Sequence, residues 1–354
     1  MKILMLNIHL GTLQLKRPAN IGVIECIEIS NLLRKAGHQV DMGSIRDTDV
    51  AIDYDKLDVN SYDKILLMNG PVDFPGGAPS SYHQKLFEFL AKSDKSKDIY
   101  YILVDLALPF VQMYPKVMNR AWNPYKSIDE IRIANPITII SQSNNFDEVR
   151  RIHQKSDMNL KDIKYVPINE WIYFTEDVRE NSGTVDLILG TSNRGGRRMK
   201  KYLDYFYGRP DLKIELYGKI QDKHFPESKT EGKAKPIFSG PLKDARGVVA
   251  KNSTGFATVV TGDTNYYGNI VTLRVAESIL ANCITFIDQE YDPNHSIFPN
   301  IPYLYINNGD ELEYKIKQLR ANPEAAESIR VEQRKLIEKC RANPMIDKFI
   351  EALN

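Results

Sequence analysis

Short runs rich in Ile, Leu, Val and Tyr alternate along this chain with longer stretches whose apolar residues recur every three to four positions. In the first half Lys2–Asn7, Gln39–Gly43, Lys64–Met68, Ile99–Val104 and Ile137–Ser141 read as strands, and Glu25–Lys35, Tyr82–Ala91 and Phe146–Gln154 as helices. A strand covered on both faces has no polar side to show, so near-continuous apolar runs separated by helices predict a parallel sheet. The rhythm then repeats. Val185–Leu189, Lys213–Tyr217, Phe256–Val260, Ile284–Ile287 and Tyr303–Ile306 read as strands, with helices at Arg198–Phe206, Leu242–Lys251, Val271–Leu280 and Asp310–Leu319. Val166–Gly183 follows neither period and reads as a linker. Beyond Pro323 the pattern is helical, broken at Asn343-Pro344, with a last short helix to Asn354. The prediction is an α/β fold of two Rossmann-like halves, residues 1–168 and 184–322, followed by C-terminal helices over 323–354, the last of them returning to the first half. Open parallel sheets bind ligands at the carboxyl ends of their strands, which places a site in the cleft between the halves.

The second half opens on the most informative segment. The run Val185–Leu189 breaks into Gly190-Thr-Ser192-Asn-Arg194-Gly-Gly-Arg197-Arg198, from which a polar helix starts. A strand, a glycine turn and a helix N-terminus bring unpaired backbone N–H groups and the positive end of a helix dipole to one point. Arg194, Arg197 and Arg198 add forked donors that match phosphate oxygens. The turn therefore reads as a diphosphate site, against the plainer alternative of a solvated basic helix start. It carries neither the ATPase loop signature nor the dinucleotide glycine fingerprint. Further on, Arg274 and Glu277 lie three apart in a helical stretch and share one side of it. There an arginine can hold a phosphate while a carboxylate accepts two ribose hydroxyls; an ordinary intrahelical ion pair is the alternative.

The first half offers a carboxylate. Asp105 stands where the strand Ile99–Val104 stops, placed to act as a general base toward a bound hydroxyl. An Asx turn or helix cap is the competing use of such a residue, although Leu-Ala-Leu-Pro after Asp105 starts a helix poorly. Glu25, at the start of the first helix, can line the same crevice. The loop Phe74-Pro75-Gly76-Gly77 lets backbone approach a flat ligand closely, or is a surface turn. Arg120 beside Trp122 is a mix found against unstacked bases, or a tryptophan anchoring its loop.

Composition narrows the class. A chain of 354 residues is long enough for two cores, and a net charge of +1 leaves no global basic field, so nucleic-acid contact must come from a local patch. Cys26, Cys283 and Cys340 are widely spaced and odd in number, and the six histidines show no metal-ligand spacing. That argues against a disulfide framework or a zinc site and fits a reducing cytoplasm. Met1–Asn7 is too short for a signal segment, and no apolar run approaches the roughly 20 residues that span a bilayer.

Together these residues resemble the DNA β-glucosyltransferase family of T-even bacteriophages. The resemblance covers nearly the whole chain and is densest at Tyr100–Phe110, Phe74–Pro79, Ile140–Gln142, Gly262–Tyr266 and Thr272–Glu277. It implies a GT-B fold, two Rossmann-like domains facing a central cleft, and an inverting transfer of sugar from a UDP-sugar to 5-hydroxymethylcytosine in duplex DNA, with the target base flipped out. By the same resemblance Asp105 is the catalytic base and Glu25 its companion. Arg194 and Arg198 hold the diphosphate, Arg274 makes another nucleotide contact, Glu277 takes the ribose, Leu242 lies against uracil, and Asp263 lines the donor cleft. The DNA-binding stripe falls on Phe74, Pro75, Gly76, Gly77, Arg120 and Trp122. The resemblance further implies a monomer with no membrane partner, working in the cytoplasm of the infected bacterial host. No metal is needed for the chemical step, although a loosely bound Mg2+ or Mn2+ can assist product release. The chain departs from the family where Pro75 replaces an aromatic residue and Arg197 a glutamine, and also around Asp105 and after Pro18. These departures leave the sugar open among glucose, a related sugar, arabinose or another pentose, and leave open an acceptor base that is already modified. A small-metabolite acceptor and a non-catalytic DNA-binding paralogue are the rival readings.

Overall fold

The computed structural model describes residues 1–7, 21–44, 56–68, 99–103, 138–141, 164–167, 177–191, 196–261 and 273–342, with 347, 350, 351, 353 and 354 near the C-terminus. The chain divides into two compact units, Met1–Tyr173 with Pro344–Asn354 and Phe174–Asn343.

The first unit is built on six parallel strands, Lys2–Asn7 (β1), Gln39–Ser44 (β2), Lys64–Met68 (β3), Ile99–Leu103 (β4), Thr138–Ser141 (β5) and Lys164–Pro167 (β6). Their order is β2-β1-β3-β4-β5-β6. Ile3, Leu4, Met5 and Leu6 of β1 are all fully buried, as a strand flanked by two others and covered on both faces must be. Helix α1 (Ile21–Lys35) buries Cys26, Ile29 and Leu33, spaced three and four apart, and packs on β1 and β2. Strand β6 lies where the linker was expected to begin. Four residues are too few to show a two-residue period, and its terminal Pro167 suits an end strand because proline donates nothing to a further ladder. The expected helices Tyr82–Ala91 and Phe146–Gln154 lie outside the described residues.

The second unit repeats the plan with Val185–Thr191 (β7), Ile214–Gly218 (β8), Ile237–Phe238 (β9), Gly255–Val260 (β10), Ile284–Asp288 (β11) and Tyr305–Ile306 (β12). The strands are parallel in the order β12-β11-β10-β7-β8-β9, which is the doubly wound Rossmann order. Every residue of β10 and β11 is buried. Helices α2 (Gly196–Phe206) and α5 (Gly309–Ala321) pack together, as do α4 (Leu273–Leu280) with α3 (Val248–Asn252) and with α6 (Pro323–Ala342).

Two expectations shift. The helix expected over Leu242–Lys251 is a short 3-10 turn at Ala245–Gly247 followed by α3, so Leu242 sits in a loop. Asp244 accounts for this, because its carboxylate accepts the Arg246 backbone N–H at 2.9 Å and starts the turn there. The latter part of the expected linker is tied to the second unit. Arg179 N–H donates to the Leu280 carbonyl at 2.7 Å, and the Asn181 side chain donates to the carbonyls of Gly255 and Ala281 at 2.7 and 3.1 Å.

Candidate functional site

Strand order in the second unit reverses between β7 and β10, and of the residues singled out in its sequence Arg198, Arg274 and Glu277 belong to the helices that follow these two strands. Strand β7 ends at Thr191, and α2 begins at Gly196 with half-buried Arg198 in its first turn. A helix that follows a strand across so short a connection presents its N-terminus, with its unpaired N–H groups, at that edge.

Successive residues of β7 point to opposite faces. Thr191 faces α2, where its hydroxyl lies 2.8 Å from that of Tyr202. The preceding residue, Gly190, faces the other way and pairs in register with Tyr217 of β8. The Tyr217 ring occupies the place a Cβ at Gly190 would need. Gly190 is therefore required for packing, whatever its backbone also contacts. Gly218, next along β8, has φ +109° and no room for a Cβ against the Thr191 carbonyl, so this corner of the sheet closes only with glycine.

Tyr217 connects this corner to α3 and α4. Its hydroxyl donates to Asn252 Oδ1 at 2.8 Å. Burial pushes the hydroxyl above the ordinary tyrosine range, the Glu277 carboxylate adds to the shift, and the Arg274 guanidinium works against it. Arg274 and Glu277, both half-buried on α4, thus lie within electrostatic reach of a ring anchored beside Gly190. The edge carries a helix N-terminus and an arginine on one face, and an arginine and a carboxylate on the other. That set of groups suits an anionic ligand bearing a neighbouring diol.

Leu242 is half-buried in the β9–α3 loop, and Glu25 falls within α1 of the first unit. Ser192, Arg194, Asp263, Asp105, Phe74, Pro75, Gly76, Gly77, Arg120 and Trp122 lie outside the described residues.

A family model described as bacteriophage T4 beta-glucosyltransferase matches residues 1–172. The DNA beta-glucosyltransferase of enterobacteria phage T4 is 32% identical over 345 residues, covering 97% of this chain and 96% of that protein. The chain belongs to the T4 β-glucosyltransferase family. Its fold is accordingly GT-B, and it is a glycosyltransferase. A crystal structure of the T4 phage β-glucosyltransferase with UDP-glucose matches all of this chain over all of its own, at 28% identity and a TM-score of 0.77. The T4 phage enzyme with UDP and Mn2+ matches over the same full lengths, at 29% identity and a TM-score of 0.77.

Within this β-glucosyltransferase fold, the importance of Tyr217, Asn252 and Thr191 was not legible in the sequence. The one available signal was Gly190 inside an apolar strand, since such a glycine marks a close approach by something large. Among the described residues no three His, Cys, Asp or Glu side chains come together to hold a metal ion, and no helix is long and apolar enough to cross a membrane.

Proposed function

We propose that this chain transfers a sugar, glucose or a related one, from a UDP-sugar to 5-hydroxymethylcytosine in duplex DNA, with inversion at the anomeric carbon. The observation that carries the reading is the edge between β7 and β10, where the helix after β7 starts with Arg198 and the helix after β10 carries Arg274 and Glu277. In this proposal the second unit binds the donor. Arg194, Arg198 and Arg274 hold the diphosphate, with Gly190 and Ser192 in the turn and Asp263 in the cleft. Glu277 takes the ribose hydroxyls, and Leu242 packs on uracil. The first unit takes the acceptor through Phe74, Pro75, Gly76, Gly77, Arg120 and Trp122.

The hydroxymethyl oxygen cannot reach a bound donor from inside the stack, so the target base must leave the helix. Asp105, two positions beyond the end of β4 in sequence, accepts the hydroxymethyl proton, with Glu25 beside the sugar. The oxygen attacks the anomeric carbon from the face opposite UDP; the new C–O bond forms as the bond to the diphosphate breaks. Negative charge builds on the departing UDP, where the arginines and the α2 N-terminus stabilise it. A Mn2+ accompanies UDP in one of the solved relatives, but no step of this scheme runs through a metal. Pro75 and Arg197, which depart from the family pattern, favour a second reading in which the donor is UDP-arabinose or another UDP-pentose.

The test is incubation with hydroxymethylated duplex and a panel of UDP-sugars, read by mass spectrometry of the nucleosides. A glycosylated hydroxymethylcytosine is expected, its mass naming the sugar. Asp105→Asn should slow its formation at least about 100-fold. Transfer only to small hydroxylated acceptors would overturn the DNA reading.

A further inference from the structure

Continuing the β10–β11 register by one residue and the β10–β7 register by four brings four residues into one row across the carboxyl edge of the second sheet. Asp288 on β11 stands beside Thr261, Thr261 beside Thr191 on β7, and Thr191 beside Gly218 on β8. In a parallel sheet such a row shares one face. That face is covered by α2, and two members of the row are satisfied by it. Thr191 pairs with Tyr202, while Asp288 accepts from Tyr205 at 2.6 Å and from Lys201. Thr261 lies between them, 97% buried (relative exposure 3%), and its Oγ1 finds no hydrogen-bond partner among the described residues.

A buried hydroxyl without a partner is costly, and native folds seldom keep one without a use. This one sits one residue past the end of β10, the strand bordering the reversal of strand order, and on the face whose helix directs its N-terminus to the same edge. A phosphate oxygen brought there would meet the N–H groups of α2 and could accept from Thr261 as well. We infer that Thr261 is a binding residue for the diphosphate of the nucleotide donor, its hydroxyl left unpaired by the fold so that a phosphate oxygen completes it. The inference rests on the donor reading above and adds to it a residue that neither sequence pattern nor family resemblance singles out.

Thr261→Val keeps the shape of the side chain and removes only the hydroxyl. Calorimetry with UDP should show affinity reduced roughly tenfold or more, the scale of a hydrogen bond to a charged group. Uridine, which has no phosphate, should bind Thr261→Val and wild type equally, and Thr261→Ser should bind UDP as wild type does. Because an unpaired hydroxyl is exchanged for a methyl, the unliganded Thr261→Val protein should melt no lower than wild type. Unchanged UDP affinity in Thr261→Val would overturn the inference. So would an equal loss for uridine and UDP, or a lowered melting temperature without ligand, which would mean that the hydroxyl is satisfied inside the fold. Failure of wild type to bind UDP would instead overturn the donor reading itself, a result that does not depend on Thr261.

Discussion

The hydrogen at Gly190 sets the shape of the edge where β7 meets β8. With no Cβ there, the Tyr217 ring lies flat across β7 and its hydroxyl reaches Asn252. A methyl at this position would drive into the ring, and a packed interior absorbs such an insertion only by moving a side chain or the backbone. Gly190→Ala should therefore cost about 1–3 kcal/mol in urea unfolding. Trimming the ring in Gly190→Ala/Tyr217→Leu should return part of that loss. If Gly190→Ala alone is as stable as wild type, the ring is free to swing aside and this account of the corner is wrong. Cys283 shows the same tight packing nearby, its thiol against the carbonyls of Asn252 and Gly255. Burial pushes its thiol up to about 12, so it is neutral and inert at ordinary pH.

Among the elements, α2 matters most, because its N-terminus lies at the carboxyl edge of the sheet and its other end must be held. Arg209, just past that end, is 6% exposed. Its guanidinium donates to the carbonyls of Asp204 at 2.7 Å and Tyr205 at 3.2 Å, capping the last turn of α2 with a positive charge. The same group bonds Asp310 at 3.0 Å and Glu313 at 2.9 Å on α5. One side chain thus clamps two helices on one face of the sheet. Arg209→Met keeps much of the bulk but leaves two carbonyls without their donor and Glu313 with Lys317 alone, and should destabilise by roughly 1–3 kcal/mol. Glu313→Gln, which leaves the guanidinium its other partners, should cost clearly less. Equal losses for the two variants would mean that the Arg209–Glu313 pair, rather than the helix cap, carries the effect.

Over the whole molecule, several carboxylates are held below their ordinary range. For Asp222 the cause is the hydrogen bond from Lys235, reinforced by Tyr207. For Glu215, Glu311 and Glu313 burial pulls upward, but Lys251 with Ser239, Lys315 with Asn307, and Lys317 with Arg209 outweigh it. Such groups add stability above the unfolded carboxylate pKa of about 4, and lose it as pH falls through the folded values. Tyr205, Tyr207 and Tyr305 are raised by burial and by Asp288, Asp222 and Asp292 respectively. Their contribution is complete below the unfolded tyrosine pKa of about 10 and fades as pH rises above it. The urea midpoint should accordingly be flat from about pH 6 to 9 and fall on both sides. A midpoint that rises toward pH 4 would contradict these assignments.

Much of this architecture can be read without coordinates. Strands buried on both faces must be apolar along their length, so β1, β3, β7, β10 and β11 announce themselves, and so does the turn that leads to Arg198. The two-residue β9 and the proline-ended β6 are too short to carry a period, and their pairing is decided by neighbouring strands. A basic glycine turn and an Arg–Glu pair on a helix are local patterns, legible wherever they occur. Their common address is not local. Arg198 and Glu277 are far apart in sequence, and only the strand order that puts β7 beside β10 brings them to one edge. The same registers place Thr261 between two satisfied neighbours, and they set Tyr217 against Gly190. Those relations depend on which strand pairs with which, because a residue's partners across a parallel sheet come from distant segments that its own neighbours in sequence do not specify.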